Sequence, residues 1–313
     1  MKKPILEVLS CPACLPEESE LALKTSGVSG NDVLYGELKC QKCKRVFPIK
    51  DGIAYLLPES VMKMESMQRR YESAKMLSSY LWSHYADIIG DEEATDAYGK
   101  WASCVPEVSG FALDAGCAVG RFTFELARKC DFAIGFDYSR SFVNAARRLL
   151  VERRMEFTLV EEGKIAKTRE ITLPDNWDSE RVEFIVADAM KLPFKKGTFS
   201  LVSTLNLVDK LVRPLDHLVE INRVAKTKNA WLLFSDPFSW STEVCPEEYW
   251  LGGTEEGRFQ GYGLENVKKI ITGEYSYIAP GWIIETEGSV WWKIRNHRNH
   301  FELIRSLFIR ASR

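Results

Sequence analysis

The sequence predicts an α/β fold with a small, cysteine-bearing ribbon at its N-terminal end. From about residue 111 onward, short apolar runs alternate with amphipathic stretches, as in β-α units arranged on a mostly parallel sheet. Two Cys-x-x-Cys pairs precede this region. A chain of 313 residues is long enough for one large domain and a small appendage. The predicted strands are Phe111–Ala115, Phe132–Phe136, Val182–Ala187, Phe199–Thr204 and Ala230–Ser235.

The two cysteine pairs predict a structural zinc site with Cys11, Cys14, Cys40 and Cys43 as its ligands. Four thiolates presented as two knuckles form a tetrahedral ligand set, and the chain between the pairs is long enough to fold back as a hairpin. A fragment of this size buries too little apolar surface to fold alone, so the metal supplies folding free energy. A redox role and a ribbon that holds no metal stay open as alternatives.

Composition narrows the range of partners. Hydrophobic residues make up 45% and charged residues 27% of the chain, as in ordinary globular proteins. The formal net charge of −2 and the pI of 6.2 disfavour a general affinity for nucleic acid or anionic membranes. No apolar run is long enough to span a bilayer or to act as a signal peptide. We expect a cytoplasmic protein, in which paired cysteines serve metal ligation rather than disulfides; the sequence gives no oligomeric state.

A glycine-containing turn after the first strand of the large region predicts a ligand site. The turn runs from Asp114 to Gly120 and leads into an amphipathic helix, so its glycines let a ligand approach the backbone. Asp137 ends the next strand, positioned to accept hydrogen bonds from both hydroxyls of a ribose. Asp188 and Ala189 follow the third strand, where a carboxylate and a backbone amide suit an adenine. Three acidic strand ends around a glycine turn predict an adenosine ligand.

The same turn favours S-adenosylmethionine over a dinucleotide. A dinucleotide loop reads Gly-x-Gly-x-x-Gly and brings a helix N-terminus onto a pyrophosphate. Here Ala118 takes the middle position, and the Asp114 carboxylate repels a pyrophosphate but suits the ammonium of a methionyl group. A nicotinamide or flavin cofactor, or a loop that binds nothing, stay open. The predicted cofactor-binding residues are Tyr71, Lys75, Asp114, Gly116, Cys117, Ala118, Gly120, Asp137, Tyr138, Asp188, Ala189 and Asn206.

These features divide the chain into three regions. Residues 1–59 form the zinc ribbon, and residues 106–313 form the cofactor-binding domain, with an insertion at about 151–181. In residues 60–105, aromatic and apolar residues recur at helical spacing from Met62 to Tyr85, which predicts one or two amphipathic helices. We expect this region to act as a linker or lid that contributes to the cofactor site. Whether it or the insertion forms the lid stays open.

Few residues are needed for chemistry, because the sulfonium of the cofactor is already a strong electrophile. The protein has to hold a nucleophile in line with the methyl group, orient it and accept its proton where it has one. The predicted catalytic residues are Tyr71, His84, Tyr85 and Asn206. Tyr71 and Lys75 lie four residues apart, so we predict one helix face that closes over the cofactor's carboxylate. The alternatives are a helix cap for Asn206 and aromatic packing for His84.

The loop, Asp137, Asp188 and the sequence Leu192-Pro193-Phe194 resemble class I S-adenosylmethionine-dependent methyltransferases over residues 105–313. The resemblance implies a Rossmann-like domain with a seven-stranded, mostly parallel sheet. Within that superfamily the chain is most similar to the C-terminal methyltransferase domain of ovothiol-synthesising enzymes, the 4-mercaptohistidine N-methyltransferases. This implies methyl transfer to an imidazole nitrogen of a thiol-histidine-like small molecule, although the ribbon is foreign to that domain. The similar segments are Tyr71–Lys75, Tyr80, His84–Tyr85, Gly116–Arg121, Phe124–Ala127, Glu161–Gly163, Trp250–Gly253 and Trp292–Arg295.

The ribbon brings other substrates into consideration. A cysteine ribbon ahead of a methyltransferase resembles the ribosomal RNA guanine-N1 methyltransferases, and Phe47–Pro58 resembles the ribbon of the small activator proteins of tRNA and protein methyltransferases. These resemblances imply an RNA or protein substrate that docks on the ribbon. The acidic pI and the lack of a long basic run near the ribbon argue against RNA. A binding protein that keeps the cofactor fold without turnover is the remaining alternative.

Overall fold

The computed structural model describes residues 1–58 and 71–313. The helices described are α1 (Ala74–Tyr85), α2 (Ala97–Ser103), α3 (Arg121–Ala127), α4 (Arg140–Glu152), α5 (Pro214–Val224) and α6 (Gly263–Thr272). The ribbon strands are β1 (Leu21–Ser29), β2 (Asp32–Cys40), β3 (Val46–Lys50) and β4 (Ile53–Leu56). The later strands are β5 (Phe111–Ala115), β6 (Phe132–Asp137), β7 (Arg154–Glu162), β8 (Ile165–Thr172), β9 (Val182–Ala187), β10 (Phe199–Leu205), β11 (Trp231–Asp236), β12 (Ile283–His297) and β13 (His300–Ser312).

One large mixed sheet organises the described chain. Its strand order is β1-β2-β3-β4-β9-β6-β5-β10-β11-β13-β12. Neighbouring strands pair in parallel along the stretch β4-β9-β6-β5-β10-β11. The ribbon strands β1 to β4 pair antiparallel with one another, and β13 pairs antiparallel with both β11 and β12. The five strands predicted for the large domain are all present, within one residue at each end. From β5 the chain adds β6 and β9 on one side of the sheet and then β10 and β11 on the other side. At such a change of side, a crevice opens at the carboxyl ends of the strands on either side of it, here β6, β5 and β10.

The sheet is larger than the resemblance implied. It has eleven strands rather than seven, because β4 of the ribbon pairs in parallel with β9 and so joins the four ribbon strands to the rest. In this pairing Tyr55 lies opposite Val186, and Leu56 opposite Ala187. Seven of its strands come from residues after 106, and the other four come from the ribbon.

Two hydrophobic cores cover the two faces of the sheet. One lies under α1 to α4 and includes Trp82, Trp101 and Phe184, and the other lies under α5, α6 and the ribbon. Successive residues of β4 alternate between these cores: Ile53 belongs to the first, and Leu56 to the second. The ribbon therefore shares its hydrophobic core with the large domain.

The insertion and the middle region contribute no strand to the large sheet within the described residues. The predicted insertion at about 151–181 contains the β7–β8 hairpin, a separate two-stranded sheet. Part of the predicted helix from Met62 onward lies outside the described residues; α1 begins at Ala74, where the Ser73 side chain accepts a hydrogen bond from the amide of Met76.

No helix in the described ranges combines the length and hydrophobicity needed to cross a lipid bilayer.

Candidate functional site

A cavity lies over the carboxyl ends of β9, β6, β5 and β10, under α1 and α2. Carboxyl ends of parallel strands meet at one edge of a sheet, so side chains that are distant in sequence come together there. Ten of the twelve predicted cofactor-binding residues line this cavity. These ten are Tyr71, Asp114, Gly116, Cys117, Ala118, Asp137, Tyr138, Asp188, Ala189 and Asn206.

The glycine turn forms the floor of the cavity. Gly116 has a φ of +73°, a left-handed conformation that favours glycine, and a Cβ there would lie 3.0 Å from the Leu207 methyl groups, which would have to shift slightly. Ala118 also has a positive φ, of +45°, and its amide donates to Asp137 Oδ2 at 3.0 Å. This bond ties the turn to the end of β6.

Asp137 and Asp188 present carboxylates at neighbouring strand ends. Asp137 Oδ1 accepts from the amide of Ser139 at 2.8 Å, so each of its oxygens keeps lone pairs for a ligand. Asp188 Oδ1 accepts from the amide of Met190 at 2.9 Å. Burial raises the pKa of Asp137 to about 6 and also raises the pKa of Asp188. Burial thus destabilises the charged form of both carboxylates, and hydrogen bonds donated by a ligand would stabilise that form.

Asp114 and Asn206 lie at the ends of β5 and β10. Asp114 is buried and accepts from the hydroxyls of Thr123 at 2.7 Å and Ser203 at 3.1 Å, and burial raises its pKa to about 6. Asn206 has a φ of +54°, and within the described residues its buried Oδ1 has no hydrogen-bond partner. A buried acceptor of this kind favours a ligand that donates to it.

Six aromatic side chains form the roof and side of the cavity. This aromatic wall consists of Tyr71, Tyr80, His84, Tyr98, Trp101 and Phe142. Its rings are in continuous contact: Tyr80 lies 4.7 Å from Phe142, His84 lies 4.4 Å from Tyr98, and Tyr98 lies 5.4 Å from Trp101 between centroids. Within the described residues, the buried nitrogens His84 Nδ1 and Trp101 Nε1 have no hydrogen-bond partner. The wall therefore combines flat apolar surface with two unused polar atoms.

Three predicted site residues lie outside the cavity. Tyr85 is buried with its hydroxyl donating to the carbonyl of Val119 at 2.9 Å, so it belongs to the core under α1. Lys75 is exposed on α1. Because this helix begins at Ala74, Tyr71 lies before it, and the two residues do not share a helix face as predicted. Gly120 packs against Phe184, where a side chain would approach to 2.6 Å, and so serves the core rather than a ligand.

Sequence reasoning missed part of the lining. Tyr98, Trp101 and Phe142 come from α2 and α4, which the tertiary packing brings to the cavity, and no local motif marks them. Lys210, on the short turn Val208–Lys210 after β10, was also missed. Its place directly beyond a strand end, close to Asn206, was the available signal.

The four paired cysteines come together as predicted. Their Sγ atoms all lie within 4.8 Å of one another, with Cys11 and Cys43 at 3.7 Å and Cys14 and Cys40 at 3.7 Å. Zinc–sulfur bonds of about 2.3 Å in a tetrahedron separate the sulfur atoms by about 3.8 Å. The cluster therefore has the ligand type and spacing for a tetrahedral metal ion.

Two known protein families match parts of the chain. Residues 113–233 match the methyltransferase domain family, and residues 2–52 match the Trm112p-like protein family. The chain is thus a methyltransferase enzyme with a Trm112p-like region at its N-terminal end. No curated protein matches the sequence significantly.

Several solved structures are similar in fold. A phosphoethanolamine N-methyltransferase from Haemonchus contortus, in complex with S-adenosyl-L-methionine, has 15% identity and a TM-score of 0.46, with 73% of this chain and 47% of that chain covered. An S-adenosylmethionine-dependent methyltransferase from Methanosarcina mazei has 15% identity and a TM-score of 0.43, with coverages of 67% and 94%. A chain from a complex between the Haloferax volcanii Trm112 methyltransferase activator and a methyltransferase has 12% identity and a TM-score of 0.43, with 80% of this chain and 98% of that chain covered. Identities of this size say nothing about the substrate.

Proposed function

We propose that the protein binds S-adenosylmethionine across the strand ends and transfers its methyl group to a small molecule held under the aromatic wall. The preferred acceptor atom is an imidazole nitrogen of a thiol-histidine-like compound. The observation that carries this proposal is the joining of two surfaces in one cavity: a row of carboxylates suited to an adenosine, and a wall of contacting aromatic rings.

The residues present fit the cofactor. The Asp137 carboxylate faces the position of a ribose and Asp188 that of an adenine, while the unpartnered Asn206 Oδ1 suits an ammonium group. Bound there, S-adenosylmethionine supplies an electrophilic methyl group.

The aromatic wall fits a small, flat acceptor. Trp101, His84 and Tyr98 are 0%, 5% and 7% exposed, so a molecule among them loses its contact with water. Rings in contact at 4.4–5.4 Å offer faces and edges on which a planar heterocycle packs favourably. The unused His84 Nδ1 and Trp101 Nε1 are available to fix its orientation.

His84 orients the acceptor rather than deprotonating it. Burial, reinforced by the nearby Arg121 guanidinium, lowers the pKa of His84 to about 3. The imidazole is therefore neutral at physiological pH and too weak a base to remove a proton from a ring nitrogen, but it still donates and accepts hydrogen bonds. Burial also raises the pKa of Tyr80 and Tyr98 well above the ordinary value, so both phenols stay protonated. The acceptor must enter with its nitrogen lone pair free, and the protein contributes position and water exclusion.

We propose further that the four-cysteine cluster holds a structural zinc ion in a cytoplasmic protein, since a reducing compartment keeps paired thiols available for metal. The domain division stays as predicted: ribbon in residues 1–59, a lid region in residues 60–105 and the catalytic domain in residues 106–313.

A macromolecular substrate is the second candidate. Two features of the ribbon favour it: the match of residues 2–52 to the Trm112p-like protein family, and a group of exposed basic side chains. These side chains are Lys39, Lys42, Lys44, Arg45 and Lys50. In that case an RNA base or a protein side chain would have to reach under the aromatic wall, with the ribbon as a docking surface.

The first test follows the methyl group. The protein is incubated with methyl-labelled S-adenosylmethionine and, separately, with a small-molecule extract, total RNA and protein; the Asp137→Ala variant serves as the inactive control. We expect label in the small-molecule fraction, with an N-methylated imidazole identified by mass spectrometry. Label in RNA or protein alone would contradict the small-molecule proposal. Cofactor binding without label in any fraction would indicate a non-catalytic binding protein.

The pH dependence of cofactor binding provides a second test. Because burial raises the pKa of Asp114 and Asp137 to about 6, both carboxylates become protonated as the pH falls below that value and accept fewer hydrogen bonds from the ligand. Affinity for S-adenosylmethionine is expected to fall below about pH 6, by up to tenfold per pH unit for each group. The stability of the ligand-free fold has the opposite pH dependence. The raised pKa values of these two carboxyl groups stabilise the folded protein fully below their unfolded-state pKa of about 4. This contribution to stability is lost as the pH rises through 6.

Calorimetric titrations between about pH 5 and pH 8 measure this dependence. Asp114→Asn, which removes one of the two titrating carboxylates at nearly constant size, is expected to flatten the profile. An affinity that stays constant down to pH 5 in the unmodified protein would contradict the assignment of these carboxylates to the ligand.

A further inference from the structure

Lys210 gives the cavity a positive charge that the assignments above leave unused. It ends the turn Val208–Lys210, directly beyond β10, and its side chain lines the cavity. The other charged residues among the described lining are the carboxylates Asp114, Asp137 and Asp188. A single cation among three anions in a ligand cavity indicates an anionic group on the ligand at that point.

The buried carboxylate of Asp209 holds the Lys210 side chain in place. Its Nζ donates to Asp209 Oδ2 at 2.9 Å, and the amide of Ser239 donates to the same oxygen at 2.8 Å. Asp209 is completely buried, whereas 35% of the Lys210 side chain is exposed. Burial alone would lower the pKa of Lys210, but the Asp209 carboxylate outweighs it and raises the pKa, so the ammonium stays charged. An ammonium has three donors, and the bond to Asp209 uses one of them.

The order of the strands places Lys210 at one end of the proposed cofactor. Across the sheet, β9, β6, β5 and β10 are consecutive neighbours, about 4.8 Å apart. With the adenine at Asp188 after β9 and the ribose at Asp137 on β6, the amino-acid part of the cofactor extends over β5 and β10. The polar groups there are Asp114 on β5, whose carboxylate suits an ammonium, Asn206 with its unpartnered buried Oδ1, and Lys210. An acceptor beside an ammonium complements the charges of an α-amino acid, which carries an ammonium beside a carboxylate.

We propose that Lys210 binds the carboxylate of the cofactor's methionyl group, the role that the sequence predicted for Lys75. This inference rests on the proposed function, since it takes S-adenosylmethionine as the ligand. Lys75 is exposed on α1 and does not line the cavity, whereas Lys210 does. A carboxylate on the acceptor is the other source of the same chemistry, and the experiment below separates the two.

The test compares two ligands that differ only in the carboxylate: S-adenosylhomocysteine and its decarboxylated analogue, S-adenosyl-3-thiopropylamine. Calorimetry on the full chain is expected to show that the unmodified protein binds S-adenosylhomocysteine roughly ten- to hundredfold more tightly, as for a hydrogen bond between charged groups. Lys210→Met is expected to abolish this preference. Because that change leaves the buried Asp209 without its counter-ion, the double variant Lys210→Met/Asp209→Asn provides a neutral pair with the same expected loss. Lys75→Met, the matched comparison, is expected to keep the preference.

Each outcome is decisive. If Lys210→Met or the double variant keeps the preference of the unmodified protein, or if the unmodified protein binds both ligands equally, Lys210 does not bind the cofactor's carboxylate, and an acceptor carboxylate becomes its assigned partner. If Lys75→Met loses the preference, the sequence-based assignment is restored and this proposal fails. If the unmodified protein binds neither ligand, the failure lies with the proposed function instead.

Discussion

Replacing Asp137 with alanine is expected to weaken S-adenosylmethionine binding by roughly a hundredfold or more. Two hydrogen bonds from ribose hydroxyls to a charged carboxylate contribute about 1.5–3 kcal/mol each. The carboxylate has a second task, since it accepts from the amides of Ala118 and Ser139 and so holds the glycine turn against β6. The alanine variant therefore loses the ligand contacts and the support of the turn together.

Asp131 offers a matched control at the opposite end of the same strand. It is exposed, and its Oδ2 accepts from the amide of Gly110 at 2.7 Å, so it also bonds a backbone amide but lies at the amino end of β6, away from the cavity. Asp131→Ala is expected to leave the dissociation constant within about twofold of the unmodified value, as for a surface change that touches no ligand. Titration calorimetry measures both. An Asp137→Ala variant that is folded and binds S-adenosylmethionine within threefold of the unmodified protein would remove the ribose assignment.

Local patterns were sufficient for the strand ends and the metal cluster. Asp114, Asp137 and Asp188 each follow an apolar run that forms a strand, and parallel strands bring their carboxyl ends to one edge whatever the details of packing. The cysteines predicted their own cluster because knuckle spacing is a local property of the chain. Neither inference needed knowledge of long-range contacts.

Helix geometry explains which of the predicted catalytic residues on α1 line the cavity. Tyr80 and His84 lie four residues apart on α1 and face the cavity together, whereas Tyr85 is turned by about 100° from His84 and enters the core. The sequence pattern did not fix where α1 begins, so it paired Tyr71 with Lys75 across a helix boundary. An error of a few residues at a helix start changed the face on which a candidate residue was expected.

The pairing of the ribbon with the large domain could not be read from the sequence. β4 and β9 are separated by well over a hundred residues, and an edge strand carries no local mark of its neighbour. The same holds for Tyr98, Trp101 and Phe142, whose positions depend on how α2 and α4 pack over the sheet. Non-local contacts therefore determine both the size of the sheet and the shape of the cavity.

The ribbon also contacts the segment that follows Asp188. The amide of Ser10, next to the first knuckle, donates to the carbonyl of Pro193 at 2.9 Å, and the amide of Lys195 donates to the carbonyl of Val8 at 2.9 Å. On the other side, Arg147 of α4 bonds both Asp32 of the ribbon and the buried Glu183 of β9. The segment that begins with Asp188 thus lies between the cavity and the four-cysteine cluster.

Replacing Cys40 with serine is accordingly expected to reduce both metal content and cofactor affinity. Loss of one of four thiolates removes much of the binding free energy of the ion, which reaches about 10–16 kcal/mol in small zinc peptides, and the ribbon depends on it for folding. An unfolded ribbon leaves the edge of β9 unpaired and the Asp188 segment without its hydrogen bonds to Val8 and Ser10. We expect less than one zinc ion per chain, a lower unfolding temperature, and S-adenosylmethionine binding weakened by tenfold or more.

Cys104→Ser separates this effect from the loss of any thiol. Cys104 is half-buried outside the cluster, where its Sγ donates to the carbonyl of Lys100, so its replacement is expected to keep one zinc ion per chain and the cofactor affinity unchanged. Metal analysis, thermal unfolding and calorimetry on the two variants make the comparison. A zinc-free Cys40→Ser protein with the unmodified affinity would mean that the ribbon does not support the adenine end. Weakened affinity with full zinc occupancy would show that the ribbon acts through its strands rather than through the ion, because the pairing of β4 with β9 is the other connection between cluster and cavity.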